Sequence, residues 1–141
     1  MPTLTVVAIG KPSPKGSLKH VGNGRLVESL KASKPWRETV VIAASSARDR
    51  AGWVTLLGAV SVTGYVILPR PKTVTREYPI TRSSGDIDKH DRNILDALTD
   101  AQIMRDDSQV IELNVLKYYP RDANQEPGAY LWIKAFTGVG K

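Results

Sequence analysis

The sequence predicts one α+β domain, a small mixed β-sheet with two main helices, on three observations. Four segments, 3–9, 58–68, 110–119 and 129–136, are rich in β-branched and apolar residues with partial strand-like alternation. Two others, 33–50 and 88–102, repeat apolar residues at near-helical spacing. Their order of strand, helix, strand, helix, strand, strand points to a mixed sheet. A length of 141 residues is that of a single domain, here residues 1–141.

Taken in order, Thr3 to Ile9 is the first strand. From Gly10 to Gly24 the chain interleaves Gly and Pro with Lys11, Lys15, Lys19 and His20. Gly and Pro deny this stretch regular structure, and its lysines face either water or an anion. It is not a phosphate-cradling Walker A loop, which needs Gly-Lys-Ser/Thr after a spaced glycine. Arg25 to Ser29 reads as one arm of a hairpin. Ser33 offers an N-cap with Pro35 in the first helical turn, and Trp36, Val40, Val41, Ala44 and Ala47 form the buried face. Trp36 is expected in the core rather than stacked on a base.

After Gly52, residues 58–68 form a central strand, and 69–85 a long, basic, mobile loop containing Pro69, Pro71, Pro79, Lys72 and three arginines. Asp88 precedes the second helix, whose apolar positions are Ile94, Leu95, Leu98 and Ala101. Asp106-Asp107-Ser108 is a polar turn before the strand Val110–Tyr119. Ala129–Phe136 is expected to close an antiparallel hairpin with that strand.

Composition narrows the chemistry. No cysteine is present, which removes disulfides, thiolate metal sites and a cysteine nucleophile. No apolar run approaches the ~18–20 residues that span a bilayer. The N-terminus lacks a signal-like pattern, so a cytoplasmic protein is expected. A formal charge of +6 favours polyanionic partners such as nucleic acid. His20 and His90 are too few for a histidine metal site or triad.

The charge is unevenly spread. Between Asp86 and Asp107 the chain places seven aspartates against three basic residues, a balance of −4, while the remainder carries +10. Asp86 and Asp88 are two apart and leave one face of an extended segment. Asp107 follows one helix and a turn, where the chain is able to fold back. Three hard oxygen donors meeting there suit Mg²⁺ or Mn²⁺, which activate water and neutralise phosphoryl charge. Against this, Asp88 is equally a helix cap, Asp106 or Asp107 a turn cap, and Asp91, Asp96 and Asp100 a solvated helix face. An EF-hand fails, since Asp91 stands at the required glycine and Ala97 at the required glutamate.

The run Asp86-Ile87-Asp88-Lys89, Arg92, Leu95-Asp96-Ala97-Leu98-Thr99 and Asp106-Asp107-Ser108-Gln109-Val110 resembles the RusA family of Holliday-junction resolvases. The start Gly10-Lys11-Pro12-Ser13-Pro14-Lys15-Gly16-Ser17 is similar to that of actinobacteriophage-type members. The resemblance implies a RusA-like fold and a Mg²⁺- or Mn²⁺-dependent endonuclease, active as a homodimer in a bacterial or phage-infected cell. Such an enzyme nicks two opposing strands of a four-way DNA junction symmetrically. It further implies that Asp86, Asp88 and Asp107 hold the metal. Arg92 falls at the family's catalytic lysine, but a guanidinium stabilises phosphate charge and does not release a proton. Lys89 stands where many members have asparagine and is assigned a phosphate contact.

Lys11, Lys15, Lys19, Arg25, Arg76 and Arg82 are the other candidate DNA-backbone contacts, making binding salt-dependent. Two alternatives stand beside this reading: a non-catalytic structure-selective DNA-binding protein, and a flap or fork nuclease using the same metal site.

Overall fold

The computed structural model describes residues 2–16, 18–20, 22, 26–28 and 30–138, with 18–20 and 26–28 as backbone only. Strand β1 (Thr3–Ile9) buries every second side chain, Leu4, Val6 and Ala8, as its alternation requires. Strands β2 (Leu18–His20) and β3 (Leu26–Glu28) form a separate two-stranded antiparallel ribbon. The hairpin arm expected near residue 26 is therefore present. The expectation that all of 10–24 lacks regular structure is corrected, because β2 lies within it.

Helix α1 (Ser33–Ala51) buries Trp36, Val40, Ala44 and Ala47, the predicted stripe. Ser33 is not its cap: Ala32 takes that position, and Ser33 is fully buried as the first helical residue. Its hydroxyl instead accepts from the Gly16 amide (3.4 Å) and from Asn93 Nδ2 (3.3 Å). Strand β4 (Val60–Ile67) follows, then an irregular stretch ending in the 3-10 turn Arg82–Ser84.

Helix α2 (Ile87–Asp100) starts earlier than the sequence suggests, so Asp86 holds the N-cap position and Asp88 sits in the first turn. It buries His90, Asn93, Ile94, Ala97 and Leu98. A 3-10 turn, Asp107–Gln109, leads into β5 (Val110–Tyr118), and β6 (Gly128–Ala135) ends the sheet.

The main sheet has the order β1-β6-β4-β5. β4 and β5 are parallel, and α2 supplies the crossover that a parallel pair needs. β6 is antiparallel to both β1 and β4. The expected hairpin between the last two strands is thus wrong. β6 carries apolar residues on both faces (Ala129, Leu131 and Ile133 on one, Tyr130 and Trp132 on the other), which suits an interior position rather than an edge beside β5.

Both helices cover one face. α1 packs on β1 and on α2, and the core joins Val6, Val40, Val62, Leu98, Leu131 and Ile133. The register places the opposite row set on the other face: Val7, Tyr130, Tyr65 and Leu116 form one cross-strand row, and Thr5, Trp132, Thr63 and Asn114 the next. No described helix lies on that face. No helix among the described residues is long and apolar enough to cross a membrane.

Candidate active site

The acidic segment is built along α2. Residues four apart share a helix face, so Asp88, Arg92 and Asp96 form one stripe, with Thr99 continuing it. Asp107 comes back against the far end of this stripe: the Thr99 hydroxyl donates to its Oδ1, and Asp96 is near enough to act on its carboxyl. Burial pushes the Asp107 carboxyl above its ordinary range. The Thr99 hydrogen bond opposes this, while Asp96 and Asp106 push the same way. Lys15 closes the pair from the other side, its Nζ 2.5 Å from Asp96 Oδ2. A groove of about 330 Å³ opens here, lined by Lys15, Arg37, Asp96, Thr99, Asp106 and Asp107.

The turn that delivers Asp107 is fixed by its neighbours. Asp106 Oδ2 accepts from the Ser108 amide (2.9 Å), and Gln109 Oε1 accepts from the Asp106 amide (2.8 Å), a reciprocal capping box. The Ser108 hydrogen bonds hold Asp106 below the usual carboxylate range. Gln109 Nε2 also donates to the carbonyls of Leu56 and Gly58, tying the turn to the start of β4. Asp106 is thus the turn cap, and Asp107 faces the groove.

A second cluster forms at the start of α2. Asp91 is half-buried, and burial first, then Asp88, raises its pKa to about 6. Its Oδ1 is buried without a hydrogen-bond partner. His90 Nε2 donates to the Ser84 carbonyl (2.7 Å), and burial lowers its pKa against that hydrogen bond, so the ring is a neutral structural group. Lys117 reaches across from β5 to the Gly85 carbonyl (2.7 Å) and Ser84 Oγ (3.1 Å), near Asp86. Burial lowers the Lys117 pKa, and Asp86 opposes the shift. Gly85 has φ of +83°, and a Cβ there would lie 2.6 Å from Pro14 Cγ and 2.9 Å from His90 Nε2, so only glycine lets the loop meet the helix start.

Asn93 joins these parts. Fully buried, its Nδ2 donates to Ser13 O (3.0 Å) and Ser33 O (3.2 Å), and its Oδ1 accepts from Arg37 (2.7 Å). The loop 11–16 is thereby fastened over α2, with the Lys15 amide also bonded to the Lys89 carbonyl (2.9 Å).

The sequence-assigned trio Asp86, Asp88 and Asp107 does not converge. Asp86 and Asp88 lie at the N-terminal end of α2, and Asp107 contacts Asp96 and Thr99 eight or more residues further along. At ~1.5 Å rise per residue that is on the order of 12–16 Å, against the ~4 Å between two oxygens on one Mg²⁺. Among the described residues no three His, Asp or Glu side chains are placed to hold one ion. What does fit a hard divalent cation is each carboxylate pair taken separately, Asp96 with Asp107 and Asp88 with Asp91. In each pair the pKa of one oxygen donor, Asp107 or Asp91, is raised by burial first and by a neighbouring carboxylate, and Mg²⁺ needs only one or two carboxylates besides water and phosphate.

Sequence reasoning placed Asp91 and Asp96 on a solvated helix face and passed over Thr99, Asn93 and Lys117. The i, i+4 relation of Asp88, Arg92 and Asp96 was the available signal. The catalytic candidate Arg92 is exposed; of the assigned DNA contacts, Lys11, Arg76 and Arg82 are exposed and Lys89 is half-buried beside Asp88, whereas Lys15 is engaged by Asp96. Arg25 lies outside the described residues, as does the Lys19 side chain.

Asp91 makes a stability prediction. Its folded pKa exceeds its unfolded value, so the folded state binds the proton more tightly, and stability falls as pH rises from about 4 to 6. Discounted for its exposed half, the cost above that window is on the order of 1 kcal/mol. Asp91→Asn is expected to raise Tm by about 3–5 °C at pH 7 in EDTA and to flatten the pH dependence between 4 and 6, measured by thermal melts. An unchanged melt would remove the strain assigned to this carboxyl.

A family model described as Endodeoxyribonuclease RusA matches residues 10–132. Among curated proteins the chain is similar to the Uncharacterized protein YqaN of Bacillus subtilis (strain 168), 29% identical over 128 residues, covering 84% of this chain and 86% of that protein.

Proposed function

The chain belongs to the RusA endodeoxyribonuclease family, and from that premise we propose that it is a Mg²⁺- or Mn²⁺-dependent endonuclease cutting four-way DNA junctions by paired symmetric nicks. The observation that carries the reading is the stripe on α2, where an exposed Arg92 stands between two close carboxylate pairs, one completed by Asp107. Asp107 with Asp96, and Asp88 with Asp91 and Asp86 nearby, are the groups that would hold the cation. When bound, it supplies Lewis acidity at the phosphodiester and lowers the cost of generating a hydroxide nucleophile.

The remaining work falls to the chain's own residues. Arg92 offers a planar, permanently charged fork to a phosphate lying along α2. Lys117 keeps a cation beside Asp86, and Lys15 holds Asp96 in place. Thr99 orients Asp107 by donating to one of its oxygens. Exposed Lys11, Arg76 and Arg82, with Lys89, take backbone phosphates, and their summed charge makes binding fall steeply with salt.

Paired nicks need two sites, and the second copy is assigned to the open face of the sheet. That face is apolar where Val7 (47% exposed), Leu116 (47%) and Trp132 (36%) stand in neighbouring rows, and Tyr65 stacks on Tyr130 with centroids 5.2 Å apart. Lys134 and Glu112 lie in one of its rows on different strands. A two-fold partner then sets each against its opposite, as an isologous interface requires. Leu116→Glu is expected to halve the mass seen by light scattering and to turn paired cuts into single nicks; an unaltered dimer would exclude this face.

Titrating Mg²⁺ against an end-labelled four-way junction tests the whole reading. Symmetric ligatable nicks support it, and retention without products favours a non-catalytic binding protein. Faster cutting of flaps or forks than of junctions would reassign the substrate.

A further inference from the structure

Where the parallel strands β4 and β5 end, two cavities of about 390 and 240 Å³ adjoin through shared walls, Arg70 and Tyr119. Their lining interleaves cations with aromatic rings. The Arg70 guanidinium lies 4.6 Å from the Tyr119 ring centroid, and that of Arg121 lies 4.9 Å from Tyr118. Tyr78, 46% exposed, stands 6.4 Å from Tyr118 across the smaller cavity. The larger cavity adds Lys11 and a rim of hydroxyls, Thr81, Ser83 and Ser84, while Glu77 is the one acidic group in either.

We propose that this trough binds a short run of unpaired nucleotides, with bases stacked on Tyr78, Tyr118 and the guanidinium planes and phosphates on Lys11, Arg70 and Arg121, while buried Tyr119 forms the floor beneath Arg70. Each feature has a physical reason. Every base has a π-face, so a row of tyrosines holds unpaired DNA without reading sequence, whereas bases inside a duplex are already stacked and gain nothing there. Arginine serves twice, as a flat stacking partner and as a phosphate ligand. A combined volume in the range of small-ligand pockets accommodates single nucleotides but not a double helix.

The position gives the trough a task. Ser84 on its rim is joined by Gly85 to Asp86, and Lys117 and His90 both bond Ser84, so the trough ends beside the start of α2. A strand splayed from the branch point into the trough is thereby led onto the stripe of Asp88, Arg92 and Asp96. This inference rests on the nuclease reading for its purpose, though not for its measurement.

The test is fluorescence anisotropy of fluorescein-labelled dT15 in EDTA, where no cleavage occurs, beside a blunt duplex of equal length. Wild type is expected to bind dT15, and Tyr78→Ala/Arg121→Ala, both exposed positions, to bind it about tenfold more weakly or worse. Duplex affinity should change less than about threefold, the share of one lost phosphate contact. Tyr78→Phe, which keeps the ring, should bind dT15 as wild type does. No dT15 binding by wild type, equal affinity in the double variant, or a parallel loss on duplex would overturn the proposal. Cutting of the junction in Mg²⁺ by wild type separates the two readings: its absence sinks the nuclease, and unchanged dT15 binding alongside intact cutting sinks only the trough.

Discussion

Asp107→Asn is expected to reduce Mg²⁺-dependent cutting of a four-way junction by at least about 10³-fold while leaving junction affinity in EDTA unchanged or slightly tighter. The amide has nearly the shape of the carboxylate, so the Thr99 hydrogen bond and the capped turn at Asp106 survive. What disappears is the anionic oxygen set against Asp96, and with it one of the two carboxylates proposed to hold the cation there. Removing a negative charge from a surface that meets phosphate does not weaken the encounter.

The companion variants decide how the metal is held. If Asp96 and Asp107 act as a pair, Asp96→Asn costs as much as Asp107→Asn, and Asp88→Asn is inactive for its own reason at the other end of α2. If cutting survives Asp96→Asn nearly intact but not Asp88→Asn and Asp107→Asn, the three motif aspartates meet in the DNA complex by a movement of the helix ends. Undiminished cleavage by Asp107→Asn would end the nuclease assignment altogether. Single-turnover rates at saturating enzyme are the measurement, since they separate chemistry from binding.

The largest expected effect on folding is at Gly64. It lies inside β4 with φ of +147°, paired with Leu131 on one side and Val115 on the other. A Cβ there would stand 2.1 Å from the Tyr130 carbonyl oxygen and 3.0 Å from Leu131 Cα, both backbone atoms. No rotamer relieves such a contact, so the β4–β6 ladder must part. Gly64→Ala is expected to cost about 4 kcal/mol or more, and Gly64→Val to leave no cooperative melt. Urea unfolding followed by tryptophan fluorescence checks it, because Trp132 sits on the neighbouring strand. A Gly64→Ala protein as stable as wild type would mean that the strands pair differently from this register.

Much of the architecture was legible because its signals are local. Alternation in Thr3–Ile9 and the stripe of Trp36, Val40 and Ala44 each need only a few neighbouring residues to specify a strand or a helix face. The position of β6 was not legible in this way. Tyr130 and Trp132 say that its second face is not simply wet, but the strands that flank it are distant in sequence, β1 by more than a hundred positions.

The same division holds at the site. Residue order alone was enough to single out the run of aspartates and its likeness to the RusA family, because those are matters of identity and spacing. Spacing could not say which of them meet. The chain's return after α2 brings Asp107 to Asp96 and Thr99 rather than to Asp86, and the burial created by that return raises its pKa. Lys117 and Asn93 gained their places the same way, one from a parallel strand and one from beneath a loop. Chemical type is written one residue at a time, but proximity between distant residues is set by how the whole apolar face is covered, and only the folded chain decides that.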